Sequence, residues 1–141
     1  MKKLKQLQDN KKINSNVGET RVCKQDISFS FTYLTTNNKY NFKSCDDKDK
    51  LDLLIRLEEL SKHELIYWMN LGKKNGTELL PVNEIKFKPN NIILSSDQKA
   101  IVFRFGKGKN DCRLICIKTG NCPILHIIGF DTNFKAYNHG S

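Results

Sequence analysis

The chain has 141 residues, enough to bury one substantial core and too few for two, so a single domain is expected in it. With 38% hydrophobic and 28% charged residues and a mean hydropathy of −0.53 it reads as a globular protein, and its longest apolar run, Pro123 to Phe130, is broken by His126. No membrane-spanning segment or secretory leader is expected from such a pattern. The formal charge is +9, from 24 Lys and Arg against 15 Asp and Glu.

Residues 1–26 hold seven basic and three acidic groups, residues 27–98 ten of each, and residues 99–141 seven basic and two acidic. The positive field therefore sits at the two ends, as expected for a nucleic-acid partner. Lys and Asn together make up 35 residues, a bias that an A+T-rich coding sequence also produces.

Residues 1–22 carry few apolar side chains and are expected to form a basic, flexible tail, with residues 23–141 as a single domain. From Ile27 the chain alternates strictly, Ile27, Phe29, Phe31 and Tyr33 against Ser28, Ser30 and Thr32. This pattern predicts a half-buried strand, with Lys39 to Ser44 as its hairpin partner. Asp46 and Asp47 then precede a helix carrying Leu51, Leu54, Ile55 and Leu57. A capping box at Ser61 to Glu64 predicts a second, shorter helix with Leu65, Ile66, Trp68 and Met69, ending before Gly72. Gly76 to Pro89 reads as a loop with one extended piece at Glu84 to Lys88.

Ile92 to Leu94, Ala100 to Phe105, Cys112 to Ile117 and Cys122 to Phe130 are β-branched or aromatic runs joined by short polar turns. They predict an antiparallel meander. The expected fold is α+β, an N-terminal strand pair and two helices packed on a curled antiparallel sheet.

Five cysteines and no leader point to reduced thiols in a cytoplasmic protein rather than to a disulfide framework. Cys112, Cys116, Cys122 and His126 do not have the paired spacing of a zinc site, and two acidic residues in the basic third are too few for a two-metal nuclease. No metal and no cofactor are expected.

If Ile117 and Cys122 flank the last turn, Arg113 stands opposite His126, with Arg104 on the neighbouring strand. Two guanidiniums on an apolar sheet, without a carboxylate from the same strands, call for an anion, and phosphate fits. Lys107 and Lys109 in the Gly-Lys-Gly-Lys turn, and Lys135 in the tail, extend the basic surface. Tyr137 and His139 follow the last strand and are able to move protons, and His126 is either a base or a core histidine. The candidate catalytic set is thus Arg113, His126, Tyr137 and His139, and the candidate nucleic-acid contacts are Arg104, Lys107, Lys109 and Lys135.

A small basic chain with helices first, an Arg- and Lys-bearing sheet after them and a Tyr/His tail resembles the RelE-like toxins of type II toxin–antitoxin systems. The resemblance implies metal-independent cleavage of mRNA by residues on the sheet and near the C-terminus, with RNA or the ribosome as target and an acidic antitoxin as protein partner. The segments Phe29-Ser30-Phe31-Thr32-Tyr33-Leu34 and Arg56-Leu57-Glu58-Glu59-Leu60-Ser61, with the ending Ile127 to Tyr137, are also similar to uncharacterised small proteins of phages and mobile elements. That second likeness implies the alternative function, a non-catalytic inhibitor or defence-associated module of the anti-CRISPR or anti-restriction type.

Overall fold

The computed structural model describes residues 25–106 and 112–138. The expected N-terminal tail, Lys107, Lys109 and His139 lie outside the described residues. Two helices, α1 (Asp47–Leu60) and α2 (Leu65–Leu71), pack on a sheet of β1 (Ser28–Ser30), β2 (Thr77–Pro81), β3 (Lys99–Phe105), β4 (Cys112–Lys118) and β5 (Ile124–Asp131). The strand order is β1-β5-β4-β3-β2, antiparallel except for β1, which runs parallel to β5. This is the expected α+β arrangement, and β3, β4 and β5 form the expected meander. Their near-continuous apolar runs follow from burial on both faces of the sheet.

On one face, Ile101, Phe103, Leu114, Cys116, Ile127 and Phe130 pack against Leu53, Leu60 and Trp68 of the helices. On the other, Val102, Ile115, Ile117 and Ile128 are covered by Tyr40, Phe87, Ala136 and Tyr137, with Ile85, Ile92 and Leu94 at the margin. The second cover is made of irregular segments, and the candidate site opens where that cover ends.

Several local expectations are corrected. The N-terminal strand pair does not form: only Ser28–Ser30 is extended, and Phe42–Ser44 is a turn of 3-10 helix. The backbone of this region makes local turns and, in place of a hairpin ladder, bonds to the outer edge of β5, Thr35 N–H to Ile128 O at 2.9 Å and Phe130 N–H to Tyr40 O at 2.8 Å. Asn41 secures the loop by donating to Thr35 O at 3.2 Å while accepting from Lys43 N–H at 2.9 Å.

Asp46 caps α1 in a reciprocal box with Asp49. The helix buries Leu53 and Leu60 and leaves Leu51, Leu54 and Ile55 58%, 64% and 55% exposed, so of the expected stripe only Leu57 packs on the sheet-side core. Ser61 closes α1, donating to Glu58 O at 2.8 Å, and α2 begins at Leu65 after Glu64, which makes no side-chain cap. Trp68 is a core anchor whose Nε1 donates to Leu60 O at 2.9 Å. Thr77–Pro81, expected as loop, is the edge strand β2, whereas Glu84 to Lys88 and Ile92 to Leu94 are not strands.

The register of β4 on β5 also differs. Ile117, not Arg113, stands opposite His126, and a β-bulge at Ile115/Cys116 then places Arg113 opposite Asp131. Without the extra residue Phe130 would face Arg113. The bulge sends Phe130 into the helix-side core and brings Asp131 to the arginine's side. Gly129 is required here because a Cβ would overlap the Phe87 ring.

Candidate functional site

Arg104 and Arg113 occupy directly paired positions on β3 and β4, so their side chains leave the same face of the sheet side by side. Across β3, Glu78 pairs with Val102 on that same face, which brings its carboxylate into the row. The last turn of chain then folds back over the sheet, and Tyr137 enters from above. Arg104, Arg113, Glu78, Tyr137, Lys73, Leu80, Phe134 and Asn138 line one cleft of about 300 Å³.

Each group is held by a local device. Gly76, at φ +79°, lets the backbone bend closely past Arg104: a Cβ there would stand 3.1 Å from Arg104 Cβ, and Gly76 O accepts Arg104 N–H at 2.8 Å. From the helix side Arg56 Nε donates to Arg104 O at 2.9 Å. Arg113 is only 7% exposed and forms the floor, its guanidinium 5.2 Å from the centroid of the Phe134 ring. Arg104 is half-buried and the Lys73 side chain exposed, so these two are the cations that solvent reaches most easily.

The Tyr137 hydroxyl donates to Glu78 Oε1 at 2.9 Å, and Lys73 Nζ lies 3.8 Å from Glu78 Oε2. Burial, and then the hydrogen bond to the Glu78 carboxylate, push the Tyr137 phenol well above its ordinary value. It is therefore protonated throughout the neutral range and able to donate. Asp131 shapes the descending chain: its Oδ1 accepts Lys135 N–H at 3.0 Å and Asn133 N–H at 3.4 Å.

Of the residues singled out from the sequence, the structure brings Arg104, Arg113 and Tyr137 together and keeps His126 apart. His126 lies at the far end of β5, four residues of β4 from Arg113 in register, about 13 Å along the sheet. Its ring is 4.8 Å from that of Tyr33, and its Nε2 is 3.3 Å from Thr119 Oγ1. Lys135 is exposed beside the cleft rather than in its lining. The expectation that no carboxylate of these strands faces the arginines is overturned by Asp131, which stands opposite Arg113. The buried thiols of Cys112 and Cys116 lie on the helix side of the sheet, away from the His126 face.

Lys73, Glu78 and Asn138 were missed. Glu78 carried a signal: Gly76-Thr77-Glu78-Leu79-Leu80-Pro81 alternates for one short strand, with Glu78 and Leu80 in phase. Two further clefts, of about 390 and 480 Å³, are lined mainly by apolar side chains such as Leu65, Met69 and Leu125 in one and Phe87, Ile92 and Ile128 in the other. They are larger but hold no comparable meeting of cations, carboxylate and phenol. Compared with known proteins, the chain matches no protein-family model, no curated protein and no solved structure.

Proposed function

We propose that this protein binds RNA at the Arg104–Arg113 cleft and cleaves it without a metal, the reaction class that the resemblance to RelE-like toxins implies. The observation that carries the reading is the convergence of two paired arginines with a hydrogen-bonded Tyr137–Glu78 couple in one cleft. Cleavage by the ribose 2′-hydroxyl needs a base for that proton, positive charge for the phosphorane and an acid for the departing oxygen. Glu78 takes the proton from the 2′-hydroxyl and the freed oxygen attacks phosphorus. Arg104 and Arg113 stabilise the charge that develops, and the 5′-oxygen leaves with the Tyr137 proton. The products are a 2′,3′-cyclic phosphate and a 5′-hydroxyl.

Glu78 takes the role for which a histidine was expected. The +9 charge of the chain supplies the long-range attraction, so RNA affinity should fall steeply as salt rises. The deciding experiment incubates the protein with a labelled RNA in EDTA and analyses the fragment ends. Cyclic phosphate ends that disappear with Glu78→Gln support the reading. Salt-sensitive binding with no cleavage would instead favour the alternative, a non-catalytic module of the anti-CRISPR or anti-restriction type, a reading that Asp131 opposite Arg113 already favours by giving that arginine a structural task.

A further inference from the structure

Phe134 has a left-handed backbone, φ +60°, which a residue with a Cβ keeps only where its surroundings impose it. The surroundings here are a tight polar turn. Asp131 Oδ1 accepts the amides on both sides of Phe134, from Asn133 and Lys135, and Asn133 Oδ1 accepts Lys135 N–H as well, at 3.2 Å. The turn carries the ring away from both apolar clusters of the sheet, leaves it 39% exposed, and sets it at the cleft over the Arg113 guanidinium. An aromatic side chain held out of the core, on a strained backbone and beside a cleft arginine, has the geometry of a platform for a ligand.

We infer that Phe134 is a nucleobase platform next to the arginines, so that the cleft takes single-stranded RNA with one base laid on the ring. The inference rests on the RNA-binding reading above and adds a subsite to it. A base in a duplex is already stacked on both faces and cannot lie on Phe134, whereas a single strand offers a free face at every nucleotide. Stacking is tolerant of sequence because every base has a π-face. The guanidinium beneath the ring draws on its electron density. The competing explanation is that the ring merely covers Arg113 from water, a task that any bulky apolar side chain performs.

The test measures binding of a 2′-O-methyl RNA decamer, which cannot be cleaved, as a single strand and as a duplex, by fluorescence anisotropy at fixed salt. The wild-type protein should prefer the single strand. Phe134→Ala should weaken that binding about tenfold, as loss of one stacked base does, and leave duplex binding unchanged. Phe134→Trp should retain it. Phe134→Leu separates the two explanations: it should be as weak as Phe134→Ala for a platform, and restored binding by Leu overturns the inference in favour of a cover. If Arg104→Ala weakens the decamer and Phe134→Ala does not, the subsite is wrong while RNA binding stands. If the wild-type protein binds neither form, both readings fall together.

Discussion

The Tyr137 hydroxyl donates to Glu78 Oε1 at 2.9 Å, joining the descending C-terminal segment to the edge strand β2, 59 residues earlier. The bond does two things at once. It closes the second cover of the sheet, because Tyr137 is 4% exposed and belongs to that core cluster, and it gives the carboxylate a donor that stays protonated at neutral pH. Tyr137→Phe should therefore cost about 2 kcal/mol of stability, because the hydroxyl bonds the Glu78 carboxylate and also Arg113. If Tyr137 supplies the leaving group's proton, cleavage should drop by about a hundredfold or more. Glu78→Gln keeps an acceptor for the phenol, so melting temperature should barely move while cleavage is lost. Thermal melts and cleavage rates of the two variants separate a fastening role from a proton-transfer role.

The meander was legible in the sequence because its strands are β-branched runs bounded by turn residues, and parity assigns their faces except past the bulge of β5. The register was not. A shift of four residues keeps Ile115, Ile117 and His126 on one face, so the apolar pattern fits the expected and the observed pairing equally well. The bulge adds one further residue, which is why Arg113 meets Asp131 rather than His126. β2 escaped notice because only Glu78 and Leu80 mark its inward phase before Pro81 ends it. The helical stripe of α1 was misread for a similar reason: Leu51, Leu53, Leu54, Ile55, Leu57 and Leu60 leave two overlapping apolar arcs, and the sheet takes the one containing Leu53 and Leu60.

That choice of arc is open to test by paired substitutions. Leu53 is 1% exposed and packs in the helix-side core, so Leu53→Ala should cost about 2–5 kcal/mol and lower the melting temperature by roughly 10 °C. Leu54, one residue along, faces solvent, and Leu54→Gln should change stability by less than about 0.5 kcal/mol. Equal losses at the two positions would contradict the observed face.

Alkaline pH should weaken the fold from about pH 9 upward. Burial pushes the Cys112 thiol up to about 12, with Asp49 adding to the effect, and burial also raises Cys116; Tyr137 is raised by burial and then by Glu78. For each group the folded state holds its proton more tightly than the unfolded chain does. Their contribution is complete below the unfolded values and is lost as pH rises past them, the thiols beginning to release near 9 and the phenol near 10. Melting temperature should be flat between pH 7 and 8.5 and decline above that, and Tyr137→Phe should remove the part of the decline that begins near pH 10. A flat profile to pH 11 would show that these groups are far better solvated than the structure has them.

The clearest functional test falls on Arg104 rather than on Arg113. Arg113 forms the floor of the cleft, 7% exposed, under the Phe134 ring and opposite the buried Asp131. Arg113→Ala therefore removes a packed stem and leaves a buried carboxylate without the guanidinium across the ladder. It should cost roughly 2 kcal/mol or more, which confounds any loss of activity. Arg104 is half-buried, and the turn at Gly76 that contacts its stem is secured through the backbone, by the bond from Arg104 N–H to Gly76 O. Arg104→Ala should cost less than about 1 kcal/mol. It still deletes one of the charges set to face the phosphorane, so RNA cleavage should fall by about a hundredfold. Arg104→Lys keeps the charge but not the planar fork, and it should recover binding more completely than cleavage. An Arg104→Ala protein that cleaves RNA at the wild-type rate would remove this cleft from consideration as the active site.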